Sequence, residues 1–215
     1  MGGRAGVTPK PVKVLLVEDH FLARVALRSV LNGRFEVSIA AEAESGEQAL
    51  EVYDDVLPDV TLMDLRLPGI SGFETIAGIR KRHRDARIVV LTNYEGSEDV
   101  FRALRMGAMA YLTKDASGDQ VLDAILTVHG GVRYLPRTVR DRLAERIPAA
   151  DLTPREHQVL TLITRGKSNR DIATDLSIAE KTVRIHVSSV LDKLNARDRT
   201  QAAIYAIQQG IVHLP

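Results

Sequence analysis

The chain of 215 residues contains no cysteine and no tryptophan, and only four phenylalanines and five tyrosines. Without cysteine there can be neither a disulfide framework nor a cysteine-based zinc site. No apolar run approaches the roughly 18 residues that a membrane-spanning helix needs. Residues 1–11 lack the apolar core of a secretory signal and hold Gly2, Gly3, Gly6, Pro9 and Pro11. They are expected to form a flexible tail, and the protein is expected to be cytoplasmic with no membrane partner. Neither charge sign is in surplus, with 29 Lys and Arg against 28 Asp and Glu, a net of +1. Internal repeats and low-complexity tracts are lacking too. What remains, 45% hydrophobic and 27% charged residues, is the composition of an ordinary globular protein, and the length allows one large domain or two small ones.

The near-neutral total conceals an asymmetry. Residues 1–130 carry 15 basic against 19 acidic side chains, whereas residues 131–215 carry 14 against 9. A basic C-terminal part behind an acidic N-terminal part suggests a nucleic-acid-binding module joined to something else.

In the acidic part, polar groups close four short apolar runs. Val14 to Val17 is followed by Glu18 and Asp19, Val60 to Met63 by Asp64, Ile88 to Leu91 by Thr92, and Ala110 to Thr113 by Lys114. Runs rich in β-branched and aliphatic residues, alternating with helical patterns, read as buried parallel strands. Phe35 to Ala40 supplies a fifth strand, and helices are expected over about Phe21 to Leu31, Gly46 to Tyr53, Phe73 to Arg82, Glu98 to Met106 and Asp119 to Val128. Such βα units form a doubly wound, five-stranded parallel α/β sheet. Groups at the carboxyl ends of its strands converge on one crevice, so three carboxylates, a hydroxyl and an ammonium are expected to meet. Clustered carboxylates repel unless a divalent cation neutralises them, and hard oxygen ligands suit Mg²⁺. That is chemistry for accepting a phosphoryl group.

Gly130-Gly131 ends the last of these helices, and residues 131–150 read as a linker with room for one short helix. From residue 151 onward the pattern is all helical. Thr153-Pro154-Arg155-Glu156 is a capping box with proline at the first helical position. It opens a helix that stops near Gly166; a short helix follows over Arg170 to Asp175, then a turn at Leu176 to Ala179, a long helix over Glu180 to Leu194, and a last one over Arg199 to Gln209. A short helix, a tight turn and a longer helix make a helix-turn-helix.

The segments Val14-Leu15-Leu16-Val17-Glu18-Asp19-His20, Leu62-Met63-Asp64-Leu65-Arg66-Leu67-Pro68-Gly69, Leu91-Thr92 and Tyr111-Leu112-Thr113-Lys114-Asp115 resemble, in order and spacing, the receiver domains of two-component response regulators over residues 12–130. The resemblance implies that Asp64 is the phospho-acceptor, and that Glu18, Asp19, Asp64 and the backbone carbonyl of Arg66 hold Mg²⁺. It further implies that Thr92 and Lys114 bind the phosphoryl group and that Tyr111 is the aromatic that turns inward with Thr92. Chemistry agrees with these roles, since a cation and an ammonium neutralise the charge on a transferring phosphoryl group. Asn93 departs from the pattern: receivers usually place a small residue there, and a larger polar side chain is expected to shield the phosphoryl group and slow its loss. His20 and His83 read as surface or capping residues.

Residues 151–215 are similar to the LuxR-type helix-turn-helix, carried by Leu152-Thr153-Pro154-Arg155-Glu156, Gly166-Lys167-Ser168-Asn169-Arg170-Asp171-Ile172-Ala173, Lys181-Thr182-Val183-Arg184-Ile185-His186-Val187, Lys193-Leu194 and Arg199-Thr200-Gln201-Ala202. The helical period puts Val183, Val187, Val190, Leu191 and Leu194 on an inward stripe and leaves Lys181, Thr182, Arg184, Ile185 and Ser188 outward. By the family's pattern Arg184, Ile185 and Ser188 meet base edges, while Arg170, Lys181, Lys193 and Arg199 contact phosphates. Ala179 stands where the family usually has a capping serine, and alanine cannot cap.

The whole chain thus resembles the NarL/FixJ response regulators. This implies a DNA-binding regulator of transcription rather than an enzyme, switched by phosphorylation of Asp64. Its expected partners are a sensor histidine kinase as phosphodonor, double-stranded DNA, and a second copy when phosphorylated or DNA-bound. Two alternatives stand beside it. One is a phosphorylation-independent DNA-binding regulator with a vestigial receiver. The other is a dehalogenase-like phosphatase, which needs a second aspartate two residues after the first, where this chain has Arg66.

Overall fold

The computed structural model of the protein describes residues 10–93, 96–144 and 152–213. Residues 1–9 of the expected tail, residues 145–150 of the expected linker, and residue 151 fall outside these; Lys10 and Pro11 are exposed and irregular. The chain forms two compact units, residues 1–93 with 102–136, and residues 94–101 with 137–215.

The first unit alternates β1 (Val12–Val17), α1 (Phe21–Asn32), β2 (Val37–Ala43), α2 (Gly46–Val56), β3 (Val60–Met63), α3 (Gly72–Arg82) and β4 (Ile88–Thr92). After α4 (Ser97–Arg105), whose residues are divided between the units, come β5 (Ala110–Thr113) and α5 (Gly118–His129). The five strands are all parallel, in the order β2-β1-β3-β4-β5. Side chains alternate across a strand. Val14, Leu16, Leu62, Val89, Leu91 and Leu112 therefore share one core with Leu31 of α1 and Val121, Ile125 and Val128 of α5. Their neighbours Leu15, Val17, Met63, Ile88, Val90 and Tyr111 are equally buried and face the opposite side. Runs buried on both faces are what made these strands legible.

Helix starts are fixed locally. Ser71 and Ser117 close capping boxes with Glu74 and Gln120, and Ser45 caps α2. Gly72, the first residue of α3, lies against the backbone of Asp64 and Leu65, where a Cβ has no space. The strand expected from Phe35 instead begins at Val37 and runs to Ala43. Phe35 is 85% exposed. β2 is an edge strand, so its outer residues tolerate polarity, and the polar Glu42 that hid its end from the apolar pattern pairs with Arg28. The expected linker also starts later than Gly131, because Tyr134 bridges to Ala110 beside β5 and its N–H donates to the Met109 carbonyl at 3.0 Å.

Beyond residue 136 the second unit contains α6 (Arg137–Ala144), α7 (Pro154–Thr164), α8 (Asn169–Asp175), α9 (Glu180–Lys193) and α10 (Arg199–Gln208). Capping boxes at Thr153/Glu156 and Ser168/Asp171 start α7 and α8, and Asp198 caps α10. The inward stripe of α9 is as expected. Val183 and Val187 pack with Val159, Ile163 and Ile172, while Val190, Leu191 and Leu194 pack with Leu160, Ala202 and Ala206.

Candidate functional site

In the first unit, β1, β3 and β5 deliver Glu18, Asp64 and Lys114 to one point. The register pairs Val17 with Met63, so the residues that follow emerge side by side, and the Asp64 N–H donates to the Val17 carbonyl at 3.0 Å. Glu18 and Asp64 are 1% and 3% exposed. Lys114 neutralises both: its Nζ lies 2.7 Å from Glu18 Oε2 and 2.6 Å from Asp64 Oδ2. Burial pushes the Lys114 pKa down, but the hydrogen bonds and charges of Asp64 and Glu18 outweigh it and hold the group above the ordinary lysine value. The second oxygen of Asp64 accepts from the Arg66 N–H at 3.2 Å. The Lys114 N–H donates to the Thr92 carbonyl at 3.0 Å, tying the ends of β4 and β5 together. Thr92 and Tyr111 are fully buried, whereas Asn93 is exposed. Gly69, with φ +73°, turns the loop after Pro68, which the Glu47 carboxylate holds through the Ile70 N–H at 3.0 Å.

Asp19 faces His20, with Nδ1 3.0 Å from Oδ1. Glu18, Asp19 and His20 each offer a ligand atom, all within 4.8 Å of one another. Asp64 joins Glu18 through Lys114 rather than belonging to that triplet. His20, to which the sequence pattern assigned nothing, is thus part of the acidic rim.

Arg24 was not singled out from the sequence. It is 6% exposed, and its Nη1 donates to the carbonyls of Glu18 at 2.8 Å and Asp19 at 3.3 Å. Its Nη2 donates to Glu44 Oε1 at 2.6 Å, and Nε lies 3.6 Å from Glu42 Oε2. The available signal was its place one turn into α1, five residues beyond Asp19.

In the second unit, α9 exposes Lys181, Arg184, Ile185 and Ser188, and leaves Thr182 half-buried. Ile185 is 62% exposed. Arg184 pairs with Glu180 one turn back at 2.7 Å, a surface ion pair that yields readily to a stronger anion. Arg170 is exposed on α8. The two other expected phosphate contacts, Lys193 and Arg199, have partners inside the protein. Lys193 Nζ lies 2.7 Å from Glu156 Oε2, and Arg199 donates to the Lys167 carbonyl. Both are half-buried because the last turn of α9 and the first of α10 pack inward. Glu156 is buried and also accepts from Ser189 Oγ at 2.6 Å and the Thr153 N–H at 2.6 Å. Burial pushes its carboxyl up, but bonds from Lys193, Ser189 and Thr153 more than offset this and bring it down to about 2. The N-cap of α9 is Ala179, with no side-chain hydrogen bond, as the sequence indicated.

The family model of the response regulator receiver domain matches residues 14–126, and that of the bacterial regulatory proteins of the luxR family matches residues 150–206. The chain is 35% identical over 207 residues to the response regulator protein VraR of Staphylococcus saprophyticus, covering 94% of this chain and 99% of that protein. It is 34% identical over 211 residues to the nitrate/nitrite response regulator protein NarL of Escherichia coli, covering 94% and 98%. Among solved structures, the response regulator ChrA of a heme-sensing two-component system aligns with a TM-score of 0.58 and 31% identity, over 94% of this chain and 100% of that one. Matches of this kind run nearly end to end and meet both units in order, so the chain belongs to the NarL/FixJ family of two-component response regulators, DNA-binding regulators of transcription built from a receiver and a LuxR-type helix-turn-helix.

Proposed function

We propose that Asp64 is the residue that accepts the phosphoryl group, taken from a sensor histidine kinase, and that residues 12–130 act as the receiver while residues 151–215 bind DNA. The observation that carries this reading is the buried ammonium of Lys114 shared between Asp64 and Glu18 at 2.6 and 2.7 Å. An aspartate oxygen already held against a cation is placed to attack phosphorus, and the ammonium is placed to pair with the phosphoryl oxygens. Glu18, Asp19, Asp64 and the Arg66 carbonyl would hold Mg²⁺. The donors fit it: all are hard oxygens, and two of the carboxylates converge closely enough to share one cation in the form of Lys114. Bound there, Mg²⁺ would neutralise the charge of the transferring group. Thr92 supplies a hydroxyl to the phosphoryl oxygens, and with Tyr111 it repacks the β4–β5 side of the sheet, biasing a two-state surface. This is switching rather than turnover. Arg66 stands where a phosphatase of the dehalogenase type needs its second aspartate.

On α9, Arg184, Ile185 and Ser188 read base edges, with Thr182 beside them, while Lys181 and Arg170 contact phosphates. Lys193 and Arg199 contact phosphates as well, from positions where they also hold Glu156 and the Lys167 carbonyl. The active form is a two-fold homodimer, for which Ile204 and Ile207 of α10, 52% and 40% exposed, offer an apolar strip. Among the described residues no helix is long and apolar enough to cross a membrane, in keeping with action in the cytoplasm. The test is mass measurement after incubation with acetyl phosphate and Mg²⁺. One phosphoryl group should add to the protein and none to Asp64→Asn or in the presence of a chelator. An unchanged gain in Asp64→Asn refutes the assignment, and no gain in the unaltered protein favours a vestigial receiver.

A further inference from the structure

We propose that Arg24 is a positioning residue that sets the cation affinity of the receiver, an inference that rests on reading Glu18, Asp19 and Asp64 as the cation site. A buried guanidinium is costly unless its donors are matched, and here they are matched in two directions. Toward the site, Nη1 grips the carbonyls of Glu18 and Asp19 at 2.8 and 3.3 Å. Away from it, Nη2 is anchored on Glu44 at 2.6 Å and Nε faces Glu42 at 3.6 Å. Glu42 is itself clamped by Arg28 at 2.6 and 2.7 Å.

The planar fork thus spans the loop after β1 and the end of β2. Fixing the two carbonyls fixes the peptide planes from which the Glu18 and Asp19 side chains leave. The residue preceding α1 has no side-chain cap of its own, and Arg24 holds this turn together with the His20 N–H, which donates to Glu18 Oε1 at 3.1 Å. The carboxylates of Glu42 and Glu44 offset its charge, and the cation site therefore gains rigidity without a net repelling charge. Lysine in its place keeps the charge but cannot fork between two carbonyls and two carboxylates.

The proposal is tested on the full chain with Mn²⁺ as probe, by the electron paramagnetic resonance signal of the free ion. Arg24→Lys should raise the dissociation constant about tenfold, the lower end of what outer-shell substitutions cost metal sites. Glu44→Gln, which leaves the arginine in place and alters a side chain 64% exposed, should raise it about twofold. The Mg²⁺ concentration for half-maximal phosphoryl uptake should shift by the same factors, with the plateau unchanged. A merely structural role lowers the number of binding sites per chain without moving the dissociation constant. An unchanged dissociation constant in folded Arg24→Lys overturns the proposal; if that variant does not fold, an unchanged constant in Glu44→Gln does so. If the unaltered protein binds no Mn²⁺, or Asp19→Asn binds it equally well, the underlying cation reading falls instead.

Discussion

Replacing Glu156 by glutamine probes how the reading helix is held. One Glu156 oxygen accepts from the Thr153 N–H at 2.6 Å, the Thr153 hydroxyl at 2.9 Å and Lys193 at 2.7 Å, and the other from Ser189 at 2.6 Å. Glutamine can keep its carbonyl on Thr153 and Lys193 and turn its NH₂ to Ser189, whose hydroxyl then accepts, so what is lost is mainly charge. A carboxyl lowered from 4.5 to about 2 corresponds to about 3 kcal/mol. Because Lys193 is 31% exposed, solvent screening reduces the expected loss to about 2 kcal/mol. A depressed pKa stabilises above the unfolded value and ceases to do so as pH falls through the folded one. The gap between the two proteins should therefore hold from pH 7 to 5 and close between about pH 4.5 and 2. Two units need not unfold together, so the assay is native-state hydrogen exchange of α7 and α9 amides at pH 7, with the pH series followed by urea unfolding. A loss below about 0.5 kcal/mol, within the range of ordinary surface substitutions, or a gap independent of pH, refutes the reasoning. The same holds if Glu156→Gln and Lys193→Met are strictly additive, because contacting charges must couple.

Two further outcomes test the functional surfaces. The reading of the exposed Asn93 amide as a shield against in-line attack by water predicts that Asn93→Ala shortens the lifetime of the phosphorylated protein; an equal or longer lifetime, followed by mass or phosphate release, removes that role. Arg184→Ala should cost about 1 to 3 kcal/mol on the preferred operator and relax selectivity at one base pair, whereas Lys181→Ala should weaken all sequences alike and lower the salt slope by about one. Binding titrations at several salt concentrations distinguish them, and equal weakening on specific and scrambled DNA by Arg184→Ala would exclude base reading.

The strand-end groups were legible because a parallel strand buried on both faces is a nearly unbroken apolar run. The first polar residue after it marks the crevice, and Asp64 and Lys114 were found that way. The same logic failed at the sheet edge. β2 carries Glu42 within its span, so the apolar pattern pointed toward Phe35 and away from the strand's real end. Side chains with two possible partners were also beyond reach. Lys193 and Arg199 look like surface cations in sequence, and only packing shows that one serves a buried carboxylate and the other a backbone carbonyl. Arg24 was missed for the converse reason: its place one turn into α1 is a signal of position only, and residue type alone gives no sign that its stem lies inward. The missing cap at Ala179, by contrast, is a property of residue type alone and needed no tertiary information.

The strand that ends at Asp64 is the middle one of five, braced on both sides by ladders and closed by Gly72, where a side chain has no space. Asp64 therefore leaves a strand that is hydrogen-bonded along both sides, to β1 and to β4. A group bound at the centre of such a sheet lies two strands from either edge, β2 or β5, and β4 alone stands between it and the strand whose end carries Lys114.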